Sequence, residues 1–259
     1  MIKYFLLLPV LSFLFLPRTG ESSESFLMEK GFRLPIELVS QSYTLMKLSP
    51  LATHIKEHIV KTNYKVPSGE AEVIAKDILA VSSCFEIDPW ILTSLIQKES
   101  SFVKQAVSPT GAVGLTQFTS IGIKEVNDQL GHRGREGAPE VVTLFFHERL
   151  RDCINPSWSD LWNRIEIQDN HPEFYKQLKE IIKNDGQSSI VYGAVLLKIY
   201  LAFVNYRNTY QVAPLKLSEV YFQALQLYNG EEGEAKLRYA KAIFKNLKLL
   251  YPNEVNFPY

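Results

Sequence analysis

The chain has 259 residues, 46% of them hydrophobic, with 28 Lys and Arg set against 28 Asp and Glu. That length supports one mid-sized domain with trimmings, or a core domain plus a small appendage. A formal net charge of zero gives no electrostatic case for nucleic acid, whose phosphates need a basic patch, and no low-complexity tract points to a disordered chain.

In chain order, Lys3 precedes an apolar run from Tyr4 to Leu16. This run is too short to span a bilayer comfortably and has the length of a signal-peptide core. Residues 1–22 are therefore expected to be a signal peptide, with Gly20-Glu21-Ser22 as the best small-residue cleavage candidate. An uncleaved anchor is the alternative; no cysteine lies near the cleavage point to carry a lipid, and no integral membrane domain is expected. Export to the periplasm or cell envelope follows.

Nearly every later segment has helical periodicity. Ile36 to Leu48 and Pro50 to Thr62 are expected as two amphipathic helices in an N-terminal extension over 23–66. Lys61 to Gly69, with its Pro-Ser-Gly break, is expected as a linker. Glu70 to Phe85 follows as a helix with Val73, Ile74, Ile78, Leu79 and Val81 inward. Cys84 lies on the apolar face of that helix, where a small buried hydrophobe is the plainer expectation and a disulfide to Cys153 the other. The five histidines are scattered and no His/Cys pair has ligand spacing, so no metal is expected.

Asp88-Pro89 is a helix start, because Asp can cap free backbone donors and Pro at the first helical position loses no needed N–H. Ile91, Leu92, Leu95 and Ile96 then recur at helical spacing, and Glu99 follows on the same face. A carboxyl on a core-facing stripe is partly desolvated, and desolvation raises its pKa. A neutral carboxylic acid near pH 7 is what protonation of a glycosidic oxygen requires. Ser108-Pro109-Thr110-Gly111 reads as a turn, and Gly111 and Gly114 allow the backbone to come close to a bound polymer. Ser108 and Gln117 add short polar groups able to hold a sugar substituent.

Ser120 to Leu130 is expected as the next helix, followed by a segment over 131–185 whose Gly131–Gly137 stretch is polar and glycine-rich. Trp158 and Trp162, with His171 and Phe174, form an aromatic cluster that either braces a core or stacks on sugar rings. Helices over Ser188–Tyr206, Ser218–Tyr228 and Glu234–Leu250 close the chain. Strand-like alternation is scarce, so the fold class is all-α.

The run Glu99-Ser100-x-Phe102, then Ala106, Ser108, Gly111-Ala112-x-Gly114-Leu115-x-Gln117, resembles the catalytic signature of soluble lytic transglycosylases. Ser189-Ile190-x-x-Gly193-x-x-Leu196 is similar to the family's N-(I/L)-x-x-G-x-x-(Y/L)-L helix, with Ser189 in place of Asn. Ala224-Leu225-x-x-Tyr228-Asn229-Gly230 is similar to its A-x-x-x-Y-N-A-G segment, and Tyr239 matches the tyrosine that usually follows. The resemblance covers roughly Ala71 to Leu250 apart from the middle segment. Two departures stand out: Thr116 precedes Gln117 where the family often has Met, and Glu231-Glu232 follow Gly230.

The resemblance implies a lysozyme-like transglycosylase fold with a catalytic domain over 67–259 and a helical insertion at 131–185. It implies action on peptidoglycan glycan strands, at the bond between N-acetylmuramic acid and N-acetylglucosamine. Glu99 would be the single acid and base, Tyr228 would hydrogen-bond near it, and Ser108, Gly114, Gln117 and Asn229 would contact substrate. No metal or organic cofactor is implied. Two alternatives stay open: a hydrolase of the same fold resembling goose-type lysozyme, and a weakly active or inactive peptidoglycan-binding component of an envelope assembly with protein partners of its own.

Overall fold

A computed structural model describes residues 45–130, 172–208, 215–230 and 233–250. The leader, the glycine-rich Gly131–Gly137 stretch, Trp158, Trp162, His171, Glu231 and Glu232 lie outside the described residues. Every regular element among the described residues is a helix: α1 (Leu45–Thr62), α2 (Ser68–Phe85), α3 (Pro89–Ser100), α4 (Ser120–Leu130), α5 (Pro172–Asn184), α6 (Gly186–Asn208), α7 (Leu217–Tyr228) and α8 (Glu234–Leu250). Val107–Val113 and Val113–Phe118 make only isolated bridges.

The centre of the fold is α6. It is apolar on all sides and buried along most of its length, as expected of a helix surrounded by others. It has the length and apolarity of a membrane span, but nearly all of that stretch is enclosed by protein. Helices α2, α4, α5 and α7 pack around it, and α8 bridges α7 and α3. Asp185 starts α6 by accepting hydrogen bonds from the Ser188 backbone N–H at 2.8 Å and from the Ser188 hydroxyl, which satisfies donors the first turn leaves free. The buried stripe of α8, from Tyr239 and Ala240 through Ile243, Phe244 and Leu247, repeats at helical spacing and turns one edge toward α3.

The N-terminal extension differs from the expected pair of helices: α1 runs unbroken from Leu45 to Thr62 with Pro50 inside it. A proline so near the N-terminus removes a single backbone donor, and packing of Ile55 and Ile59 in the core outweighs that loss. Helix α1 lies on α2 and α3, and its Asn63 edge reaches the chain just after α3. Val73, expected inward, is 58% exposed. The buried stripe of α2 passes instead through Ala71, Ile74, Ala75, Ile78, Leu79, Ser82 and Phe85, and Val73 borders an open cavity of about 680 Å³ beside Val103 and Asp77. Cys84 is half-buried and disulfide-bonded rather than a free apolar filler; Cys153 lies outside the described residues.

Candidate active site

The acid is delivered by α3. Asp88 accepts from the N–H groups of Trp90 at 2.7 Å and Ile91 at 3.1 Å, fixing where the helix begins. The following stripe, Ile91, Leu92, Leu95 and Ile96, is buried. Glu99 comes one residue before the helix ends, on the edge of that stripe and partly exposed. The helix is then stopped sharply. Ser101 and Phe102 take φ values of 51° and 64°, a left-handed backbone that costs non-glycine residues about 1 kcal/mol or more each. That conformation is held from both sides: Phe102 is fully buried, and Asn63 Nδ2 donates to the Ser101 carbonyl at 2.8 Å. His58 of α1 adds a 2.9 Å contact to Gln97 and sets its ring edge-on to Phe102. The extension ahead of the signature therefore grips the end of the acid's helix.

Glu99 is pushed up to about 7, mainly by burial; a hydrogen bond from Tyr239 and the charge of Lys98 oppose the rise. The Tyr239 hydroxyl donates to Glu99 Oε1. Tyr239 is 7% exposed, and burial together with the neighbouring carboxylate drives its own ionisation well above the ordinary tyrosine range. A tyrosine that stays neutral can keep donating through a catalytic cycle. Tyr228, expected to hydrogen-bond near the acid, donates its hydroxyl to the Thr116 carbonyl at 3.3 Å. It remains near enough for Glu99 to raise its pKa. The nearest partner of the acid is thus the tyrosine from α8 and not the one that ends α7. Spacing in the chain could not rank the two, because the rotation of α8 against α3 decides which hydroxyl arrives.

The loop between α3 and α4 folds into a compact platform. The Ser108 N–H reaches the Ala112 carbonyl at 2.9 Å, and the Ala112 N–H returns to the Ser108 hydroxyl at 2.9 Å. Gln117, at φ 52°, donates its side-chain amide to the carbonyls of Gly114 at 2.8 Å and Ala106 at 3.2 Å. Ser108 and Gln117, expected at the substrate, thus direct these bonds onto the loop's own backbone and set its shape. Gly114 allows the close approach: at φ +79° a Cβ there would lie 2.6 Å from Ser189 Oγ and 2.7 Å from the Ile182 carbonyl. Asn229 caps α7, and its Nδ2 is buried without a hydrogen-bond partner among the described residues.

Thr116 fastens this platform to α6. Its N–H donates to Ser189 Oγ at 3.1 Å, and its hydroxyl donates to the Ser189 carbonyl at 2.6 Å. Gly193, one turn along α6, leaves room for it; a Cβ there would sit 2.5 Å from Thr116 Cγ2. Two of the positions at which the chain departs from the resembled pattern, Thr116 for Met and Ser189 for Asn, are therefore bonded to each other. The cavity bordered by Val73 and Asp77 includes neither Glu99 nor either tyrosine. Glu99 is the member of the site that burial keeps poised between its two protonation states, and that singles it out.

Residues 78–139 match the family model described as Transglycosylase SLT domain. That match supports a soluble lytic transglycosylase-type domain over this stretch. Domains of this type are lysozyme-like, and the match supports a peptidoglycan-acting, lytic transglycosylase-type function at the level of the family. No curated protein and no solved structure matches the chain. The matched stretch of the transglycosylase-type domain spans Glu99 and the whole glycine loop and stops short of α6, α7 and α8. Ser189, Tyr228 and Tyr239 join the site through the contacts described above.

Proposed function

We propose that the chain cleaves the β-1,4 bond between N-acetylmuramic acid and N-acetylglucosamine and closes a 1,6-anhydro ring on the muramic acid, with Glu99 serving as acid and then as base. The observation that carries this reading is a single carboxyl held near pH 7 at the end of α3 with Tyr239 donating to it. Most glycosidases pair two carboxyl groups about the scissile bond, whereas among the described residues the groups opposing the rise of Glu99 are Lys98 and Tyr239 and no second carboxylate acts on it.

In the first step the Glu99 proton passes to the glycosidic oxygen, and the bond from that oxygen to C1 breaks with the electron pair leaving on the oxygen. The N-acetyl carbonyl oxygen of the muramic acid supports the cationic C1. In the second step the Glu99 carboxylate takes the proton of the C6 hydroxyl, whose oxygen bonds to C1. The acid is regenerated and no water is consumed. Tyr239 holds the carboxyl in both states, Tyr228 steadies the Thr116 carbonyl, and the Ser108–Gln117 platform, seated against Ser189 and Ile182 at Gly114, faces the glycan strand together with Asn229.

The cell envelope is the place where such a substrate lies. The apolar run after Lys3 supports export, as does the disulfide-bonded Cys84, since disulfides persist in oxidising compartments. The test is digestion of purified peptidoglycan followed by mass spectrometry of the released muropeptides. Anhydro-muramyl ends support the proposal. Reducing ends make the enzyme a hydrolase of the same fold, and binding to the sacculus without release of product makes it a binding component.

A further inference from the structure

Lys98 immediately precedes the acid and is the basic residue of the last turn of α3. Its side chain is exposed, yet its Nζ lies 5.8 Å from the centre of the Tyr239 ring. An ammonium within about 6 Å of a ring centroid is attracted to the negative face of the π system. That same ring carries the hydroxyl that donates to Glu99. A line of contact therefore runs from solvent, through the phenol, to the carboxyl.

We propose that Lys98 is a positioning residue for the Glu99–Tyr239 pair: its ammonium holds the phenol over the end of α3 and strengthens the hydroxyl as a donor to the carboxylate. The inference rests on the reading of Glu99 as the acid and base. A cation over the ring draws electron density from the phenol, which makes its O–H the better donor. The charge also acts directly on Glu99 and favours the ionised form, against the larger effect of burial. Among the described residues the other groups facing the carboxyl are Tyr239 from α8 and Tyr228 from α7, both kept neutral. Lys98 thus supplies the full positive charge at the moment the proposed reaction needs it, when Glu99 has given up its proton and waits as a carboxylate for the one on the C6 hydroxyl. Because the ammonium stands in solvent, its effect weakens with salt.

The test is a carbon-13 NMR titration of the Glu99 carboxyl in the purified chain, in Lys98→Gln and in Lys98→Arg, beside pH profiles of kcat and KM on peptidoglycan. Lys98→Gln is expected to raise the Glu99 midpoint by about half a pH unit. The alkaline limb of kcat should move by the same amount with KM unchanged, and Lys98→Arg should restore both. A midpoint that stays put in Lys98→Gln, or that Lys98→Arg leaves displaced, overturns the proposal. The titration requires no turnover: a displaced midpoint in a chain that releases no product supports the role of Lys98 and counts against the catalytic reading instead.

Discussion

The Tyr239 hydroxyl donates to the Glu99 carboxylate across 140 positions of sequence, joining the last described helix to the end of the helix that carries the signature acid. Because the hydrogen bond favours the ionised acid while burial disfavours it, the contact moderates the pKa of Glu99. Tyr239→Phe should raise the Glu99 pKa further and lower kcat roughly 10- to 100-fold, the worth of a hydrogen bond to a charged group. Tyr228→Phe loses only a bond to a neutral carbonyl and should cost about 10-fold or less. Steady-state kinetics on both variants decide the order, and a larger loss in Tyr228→Phe would contradict it.

In the proposed reaction, a carboxyl titrating at about 7 has to be protonated before it can give its proton to the glycosidic oxygen. kcat/KM should therefore hold steady below pH 7 and fall about tenfold per pH unit above it. Profiles recorded at constant ionic strength check this. An alkaline limb near the ordinary range of an exposed carboxyl would place the working proton elsewhere.

The same burial has a stability consequence of fixed sign. Glu99 rises from 4.5 to about 7 on folding, so the folded chain binds the proton more tightly than the unfolded chain does. The acid is therefore harmless below pH 4.5 and increasingly destabilising from there to about 7, above which the cost is constant. At about 1.4 kcal/mol per pH unit the full cost reaches about 3 kcal/mol. Glu99→Gln should thus unfold at higher denaturant than the natural chain at pH 8 and at nearly the same denaturant at pH 4. Equal midpoints at both pH values would show an acid that is not buried in solution.

Thr116 and Ser189 should behave as one unit. Thr116→Val removes the hydroxyl that bonds Ser189, and Ser189→Ala removes the acceptor of the Thr116 N–H. Each change leaves a buried polar group unpaired and is expected to cost about 1–3 kcal/mol. The double variant should cost less than the two together, with a coupling of about 0.5–3 kcal/mol. Denaturant unfolding of the four proteins measures it, and additive losses would mean that the platform is held to α6 by packing alone.

Local signals read well from sequence where a single helix decided the matter. Asp88-Pro89 marks the start of α3 through a cap that involves only residues two and three positions on, and Glu234–Leu250 is legible from its own apolar spacing. What was hidden depends on how helices meet. Val73 has the chemistry of a core residue, but among the described residues it is left 58% exposed on its side of α2. The hold of Asn63 and His58 on the end of α3 joins segments about forty residues apart and leaves no periodic trace. Thr116 and Ser189 read as two separate departures from a pattern and become mutually compensating once α6 brings them together. Tyr239 was visible as a motif residue, but its hydrogen bond to Glu99 follows from the packing of α8 on α3. The disulfide state of Cys84 likewise depends on a partner that helical spacing does not reveal.

The account turns on one residue passing a proton in both directions, and the most direct test compares muropeptides released from purified peptidoglycan by the natural chain and by Glu99→Gln. The amide keeps the shape of the site and still accepts the Tyr239 hydrogen bond, but it has no proton of the right acidity to give. Anhydro-muramyl products from the natural chain and none from the variant are the predicted result; the same products from both would contradict it.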